Sequence, residues 1–545
     1  MNILDASFEY FRDIFVENPG PKGLIMDDST KKVLGLAITR TEILSYEVLI
    51  TESISDLAMK KHNGMMQTMH AIYVIEPSTQ NIDLICSELS DPHFSKYSLY
   101  FTNSTAEDIL RKLATFDHYS LIEKVEEIFT RFYPLTSRLF HSGIQSISSL
   151  RLGDPSNTQL YDISDSLFTA LQALHMRPCV RYDSSSNLCA ELSQIIQKRL
   201  IQTSTLYGQC SDSQLLLILD RKTDPITPLT SSWYYSSALH NLFGIEDNIV
   251  TLPDGTQHVL DERHDTFYQE YGNKFLSEVG PAIHDMTTEA AKLGEKSRQK
   301  ITSPEQISAA VAAATQFHSK MTSAKMHVAL VDAINDAVQK HGLLMAAELE
   351  QAIATGDDAA FHATEIQRIA NSPNFPRDIL LRLAMLFALR YEGRCQEQHE
   401  IVKNVVGIEG INLMQAVVTF CGLNSQGQNN EDVFAGRSAL KRLFSDIRSL
   451  YEVEQKALSQ YKCKLSDTLR KLRSGALDDQ QYPARGQLSV KPSKVVVYFI
   501  GGATYEEARA ASEISKGDID VIVGGTTVHS PNSFVNYEVK GYARI

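Results

Sequence analysis

The chain has 545 residues, 43% apolar and 22% charged, a composition that suits globular domains and excludes a disordered or fibrous protein. Its 52 basic and 66 acidic residues leave a net charge of −14, which argues against nucleic acid as the main partner and against tight docking on anionic lipid. At roughly 150 residues per domain, the length suggests three to four domains.

In chain order, the first segment carries Asp5 and Glu9 where a signal peptide carries basic residues. Short apolar runs follow at 24–26, 33–38, 71–75 and 97–101, each closed by polar or turn residues and alternating with helical stretches. This is the pattern of a parallel sheet covered by helices. Ser104 or Thr105 is placed to cap a helix beginning at Ala106, with Glu107 and Asp108 in its first turn. A second helix is expected from about 120 to 133, stopped by Pro134. Residues 1–132 thus read as one α/β domain.

A second α/β region holds a buried strand at 215–219 (LLLIL) that ends at Asp220 and Arg221. Two more buried strands lie far downstream, at 495–500 (VVVYFI) and 521–523 (VIV), each meeting a pair of glycines. Between them, residues 246–480 are rich in Ala, Leu, Glu, Lys and Gln and read as helix. Within that stretch Ile379, Leu383, Leu386, Phe387 and Arg390 share one helical face and fit core packing. The stretch 292–304 is charged and reads as exposed, and 474–494 is polar and reads as a linker. No apolar run approaches the ~20 residues of a membrane span, since 410–430 turns polar halfway.

Signatures of catalysis are scarce. There is no Gly-Lys dipeptide, no HExxH, GxSxG or GxGxxG, and no two histidines lie three or four residues apart. No catalytic residue, metal ligand or cofactor is assigned. The seven cysteines form no CxxC pair and fit reduced thiols. Cys210, His240 and Asp220 form a nucleophile set only by imagination. The pairs Gly501-Gly502 and Gly524-Gly525 lack the dinucleotide-binding spacing and fit tight strand-to-helix turns. Asp220, Arg221 and Asp224, at the end of a buried strand, suit either a catalytic site or a salt-bridged corner, and the spacing favours the corner.

The segment 219–245, LDRKTDPITPLTSSWYYSSALHNLFGI, resembles the signature of the SM (Sec/Munc) family of syntaxin-binding vesicle-fusion proteins. Leu219, Asp220, Arg221, Asp224, Thr227, Pro228, Leu229, Trp233, Tyr235, His240, Leu242, Gly244 and Ile245 match the pattern, while Thr230, Ser232, Tyr234 and Asn241 depart from it. The stretches 500–508 (IGGATYEEA) and 524–529 (GGTTVH) are similar to the ending of the vacuolar protein sorting, endosomal/trans-Golgi branch. Further similar stretches lie at 24–48, 265–275 and 382–392.

The resemblance implies a three-domain arch of α/β plus α class. Its parts would be an α/β domain at 1–132, a discontinuous α/β domain at 133–245 plus 481–545, and a mainly helical domain at 246–480. A helical hairpin is implied near 267–345, with its bend somewhere in 292–304. The implied partners are a syntaxin-type SNARE, bound through its N-terminal peptide and its helical bundle, and the assembled SNARE complex. The implied setting is cytoplasmic, peripheral to Golgi and endosomal membranes through that partner, with no enzymatic role. The peptide would lie along the helix with Leu110 and Leu113 and a following helix with Ile122, Glu126 and Glu127. An apolar pocket beside acidic residues suits a peptide with one apolar anchor and basic flanks. Asp220, Arg221, Asp224 and Trp233 are expected to be a structural junction. A nucleotide-binding α/β enzyme and a passive helical tether are the competing readings.

Overall fold

The computed structural model describes residues 1–59, 64–148, 150, 158–207, 211–297, 304–373, 375–422, 455–486 and 491–543. By packing, the chain forms two compact units. One contains 1–220, 470–503 and 513–528; the other contains 221–469, 504–512 and 529–545.

The first unit opens with a five-stranded parallel sheet. Its strands are β1 (Lys22–Met26), β2 (Val48–Ser53), β3 (His70–Ile75), β4 (Lys96–Phe101) and β5 (Ile122–Glu127), in the order β2-β1-β3-β4-β5. The central strands are apolar on both faces because both are covered. Ile25, Ala71, Tyr73, Leu99 and Phe101 pack into one core, and Leu24, Met26, Ile72, Val74 and Tyr100 into the other.

The chain then gives β6 (Tyr133–Thr136), β7 (Leu139–His141), β8 (Pro178–Tyr182) and β9 (Ser211–Asp220) to a second sheet. In the helical unit it makes a small hairpin of β10 (Ile249–Thr251) and β11 (Gln257–Val259). It returns with β12 (Ala484–Arg485), β13 (Lys494–Ile500) and β14 (Asp520–Gly525), and the second sheet runs β12-β8-β9-β13-β14-β7-β6. The distant apolar runs are therefore neighbours: Leu215 faces Val495, and Val495 faces Val521, in parallel register. At the end of β13, Gly501 and Gly502 take φ of 91° and 90°, which glycine alone adopts without strain. A Cβ on Gly524 would stand 2.3 Å from the Phe140 ring. Turn geometry and close packing account for these glycines.

The second unit is helical. Its core joins Leu343, Leu349 and Ile353 to the helix Arg377–Tyr391, which is buried nearly all round, and to Val402, Val406, Leu413 and Val417 of the helix Gln396–Phe420. The latter is long and apolar enough to cross a membrane, but it breaks at Gly407 (φ 65°) and those apolar residues lie in this core. The helices Leu276–Ser297 and Pro304–His341 pack as a hairpin.

Five expectations are corrected. Residues 33–38 belong to the helix Asp28–Ala37 and its cap, not to a strand; its buried residues Val33, Leu34 and Ala37 keep helical spacing. The second helix, at 120–133, is instead the edge strand β5, with Pro134 in β6. Ile122 and Val125 sit three apart and mimic a helical face, but parallel pairing to β4 prevails. The helix Glu107–Phe116 is capped from Ala106 without a side-chain bond, rather than from Ser104 or Thr105; the Thr105 N–H donates to Glu127 Oε1 (2.6 Å). Within the expected 474–494 linker, residues 482–485 are held at the sheet edge, where Arg181 donates to the Tyr482 carbonyl (2.6 Å) and β12 pairs with β8. The segment 221–245 packs in the helical unit through Ile226, Leu229 and Trp233 rather than with the second sheet.

Candidate protein-binding site

The helix Glu107–Phe116 is the crossover between β4 and β5. Its inner face is set by Leu113, which is 2% exposed and belongs to the sheet core with Ile109 packed beside it. Leu113 therefore supports the site and does not line it, a correction to its expected role. Leu110 lies at the margin of that face and is 40% exposed. The same crossover exposes Phe116 and Tyr119 and, on the edge strand, Val125, with Ile122 half-buried.

Glu126 and Glu127 are exposed but engaged. Lys124 bridges Glu126 (2.6 Å) and Glu17 (2.5 Å), and those bonds hold its ammonium above the usual lysine range despite the opposing effect of burial. Glu127 accepts from the Thr105 N–H. Glu107 pairs with Arg111 (2.7 Å), and Lys112 with Asp83. Glu107 and Arg111, on the helix of Leu110, are thus paired with each other, whereas Lys124 and Glu126 pair on the opposite face of the sheet, where Lys124 lies over the Tyr100 ring.

The junction residues form two clusters. Asp220, ending β9, accepts from Ser186 Oγ (2.6 Å) within the sheet unit. Arg221 and Glu507 are both fully buried in the helical unit, and Arg221 Nη2 reaches the two Glu507 oxygens at 2.8 and 2.7 Å. Arg221 Nη1 also donates to the Asp224 carbonyl (3.0 Å). Burial pushes the Glu507 carboxyl up, to about 7, with Arg221 opposing. The Asp224 carboxylate accepts from Thr227 Oγ1 (2.6 Å), the Tyr461 hydroxyl (3.1 Å) and the Lys464 N–H (3.1 Å). Nothing here leaves a carboxylate aimed at solvent for chemistry.

Glu507 escaped the sequence reading, being 286 residues from Arg221. Its signal was present: Thr504 and Glu507 are spaced as a capping box, and each side chain does bond the other's backbone N–H.

Two further signature residues make buried hydrogen bonds. His240 Nδ1 accepts from the Ile245 N–H (3.0 Å), beside Gly244 at φ 80°. The Tyr235 hydroxyl meets His327 Nδ1 (2.8 Å), whose Nε2 meets Asp265 Oδ2 (3.0 Å). Asp265 caps the helix Thr266–Tyr271, so this relay pins the long helix Pro304–His341 at its buried His327. Cys210 lies outside the described residues, as do residues 298–303 of the expected bend.

Above that anchor the hairpin closes on small residues. Ala290 and Ala324 are fully buried, Gly294 lies against the Phe317 ring, and Lys320 bonds Glu289 (2.6 Å). Outward, the long helix leaves Val311 and Val328 exposed.

Comparison with known proteins adds three findings. The model of the Sec1 family matches residues 22–537. Vacuolar protein sorting-associated protein 45 of Schizosaccharomyces pombe is 27% identical over 98% of this chain and 98% of its own length. The human protein of that name is 28% identical over 98% of this chain and 95% of its own. Among solved structures, the SM protein Vps45 in complex with the Qa SNARE Tlg2 superposes with a TM-score of 0.85 at 24% identity, covering 100% of this chain and 99% of that one. The Unc18–syntaxin 1 complex of Monosiga brevicollis gives 0.82 at 21% identity, with all of both chains covered. At these identities the likeness establishes the fold.

Proposed function

The chain belongs to the Sec1 family, and on that premise we propose that it binds a syntaxin-class SNARE and templates SNARE complex assembly in vesicle fusion at the endosome and trans-Golgi. The observation that carries this reading is end-to-end similarity to Vps45 relatives, one of them solved with a Qa SNARE. Leu110, on the face of the sheet that carries Ile122 and Glu127, takes the apolar anchor of the SNARE's N-terminal peptide, Glu126 stands on the same edge strand towards the other face, and Leu113 holds the helix that carries Leu110. The hairpin of 276–297 and 304–341 holds SNARE helices in register, which lowers the entropic cost of nucleating their four-helix bundle. The protein acts without chemistry of its own. It works in the cytoplasm, reaching Golgi and endosomal membranes through its partner.

The test is a pull-down with the cytoplasmic part of an endosomal or trans-Golgi syntaxin, followed by the rate of SNARE assembly with and without the protein. Saturable binding and faster assembly are expected. Absence of binding to any such syntaxin refutes the reading, binding without a rate change favours a passive tether, and saturable ATP or GTP turnover favours an enzyme.

A further inference from the structure

β4 leads into the helix of Leu110 through residues 103–106, which are exposed or half-buried. Among the described residues, two hydrogen bonds tie this loop to other elements. The Thr105 N–H donates to Glu127 Oε1 (2.6 Å), and Asn103 Nδ2 donates to Asp165 Oδ2 (3.1 Å). The first bond stays within the crossover, and the second leaves it. Asp165 lies on the helix Gln159–Ala173, whose Ile163, Leu167 and Leu171 pack into the core of the second sheet. Both partners of that bond are themselves fixed. Asn103 Oδ1 accepts from the Ser104 N–H (2.9 Å). Asp165 Oδ1 lies 2.5 Å from Arg199, whose guanidinium sits over the Phe168 ring, 4.8 Å from its centroid, and donates to Ser164 Oγ (3.1 Å).

The exit from the crossover meets the same carboxylate, since Arg131, just past β5, reaches Asp165 Oδ2 at 2.8 Å. The exit has further anchors. Arg131 also pairs with Glu76 (2.9 Å) and Asp162 (3.1 Å), and Phe129, 7% exposed, packs edge-on against Phe168. Beyond the crossover, the entry loop has the Asn103 bond alone among the described residues. We propose that the Asn103–Asp165 bond is a positioning contact for the SNARE N-terminal peptide: it fixes the entry of the helix that presents Leu110 and so sets peptide affinity without lining the pocket. This rests on the reading of Leu110 as the peptide's anchor site. Leu110 lies in the first turn of its helix, and that turn has no side-chain cap. Releasing the entry lets the turn fray, and a peptide that must then order it binds more weakly by the cost of that ordering. A single hydrogen bond sets the scale at about fivefold in affinity.

The experiment begins with hydrogen exchange on the full-length protein, because that needs no ligand. Asn103→Ala should speed exchange severalfold across 104–112 and leave 159–173 protected. Asp165→Ala should do the same, with Arg131 still held by Glu76 and Asp162. Calorimetry then uses the N-terminal peptide of the syntaxin captured in the pull-down above. Asn103→Ala should weaken binding about fivefold. Added to Asp165→Ala it should weaken binding no further, because the two residues act through one bond; a general loss of stability would not produce that pattern. The Asn103→Ala arm stands alone if Asp165→Ala fails to fold. Unchanged exchange across 104–112 would overturn the proposal. So would faster exchange with unchanged affinity for a peptide that the wild type binds, or losses that add in the double variant. A wild type that binds no such peptide refutes the SNARE reading and with it the role in affinity, and it is told apart by an exchange difference that persists.

Discussion

Replacing Arg221 with methionine tests the buried ion pair most directly. Methionine keeps the unbranched apolar stem of arginine and removes the charged end, so the chief perturbation is loss of the guanidinium's charge and hydrogen bonds. In the native protein Arg221 and Glu507 are both fully buried, joined by contacts of 2.8 and 2.7 Å. Arg221→Met leaves the Glu507 carboxylate buried with Thr504 as its remaining partner, through the Thr504 N–H (2.9 Å) and Oγ1 (3.0 Å). Breaking a buried pair in this way costs about 3–5 kcal/mol. The sign of the pH dependence follows from Glu507. A carboxyl whose folded value is raised above its unfolded value near 4.3 contributes its stability at low pH and loses it as pH rises through the folded value. Burial already lifts Glu507 to about 7 against the pull of Arg221, and without Arg221 it rises further. The variant's deficit should therefore be greatest near pH 8 and shrink towards pH 5, where Glu507 takes up a proton. Arg221→Met combined with Glu507→Leu should recover much of the loss, because no charge is left unpaired. Scanning calorimetry of the three proteins from pH 5 to 8 is the assay. A pH-independent deficit, or a double variant no better than the single one, would refute the orphaned-charge argument.

Leu110→Arg places a charge on a 40%-exposed margin, so the protein should melt like wild type while binding of the partner syntaxin's N-terminal peptide weakens at least about tenfold by calorimetry; unchanged affinity rules out this pocket. Leu113→Ala, in the core, should instead lower stability by about 2–5 kcal/mol, measured by denaturant unfolding with peptide affinity read on the folded fraction. His327→Ala removes the partner of both Asp265 and Tyr235; because His327 and neighbouring donors hold the Asp265 carboxyl below its usual range against the opposing effect of burial, the native protein should lose stability as pH falls through that depressed value, and the variant should show less of this acid dependence in thermal melts. If the hairpin is a switch, hydrogen exchange across 288–320 should be fast in the free protein and slow on adding a SNARE helix; strong protection without partner leaves it a static surface.

The parts of the fold legible in the sequence are those written in local pattern. The runs LLLIL and VVVYFI are apolar at every position, as a strand buried on both faces must be, and they lie side by side in one sheet. The residues 120–127 were misread because an edge strand needs only one partner and one covered face. Its sequence, IEKVEE in the strand itself, then carries too few apolar residues to separate a period of two from one of 3.6. The same edge position exposes Val125 and leaves the acids at the rim, so the feature that hid the strand also forms the candidate surface.

The junction shows a different limit. Arg221 and Asp224 were legible as a corner because charged residues directly follow a buried strand. Their partners were not, since contact between Arg221 and Glu507 follows from chain return and from no local period. The one local trace was the Thr504–Glu507 spacing, which by itself announces only a helix start. Glu507 meets both demands at once: Oε2 accepts from the Thr504 N–H and from Arg221, and Oε1 accepts from Arg221. A single carboxylate thereby fixes the start of the helix Tyr505–Ile514 and neutralises Arg221. That double use gives a physical reason for two distant motifs, LDRxxD and TYEE, to occur in the same chain, and it requires Glu507→Gln to weaken both the helix start and the pairing with Arg221, whereas Thr504→Ala should weaken only the first.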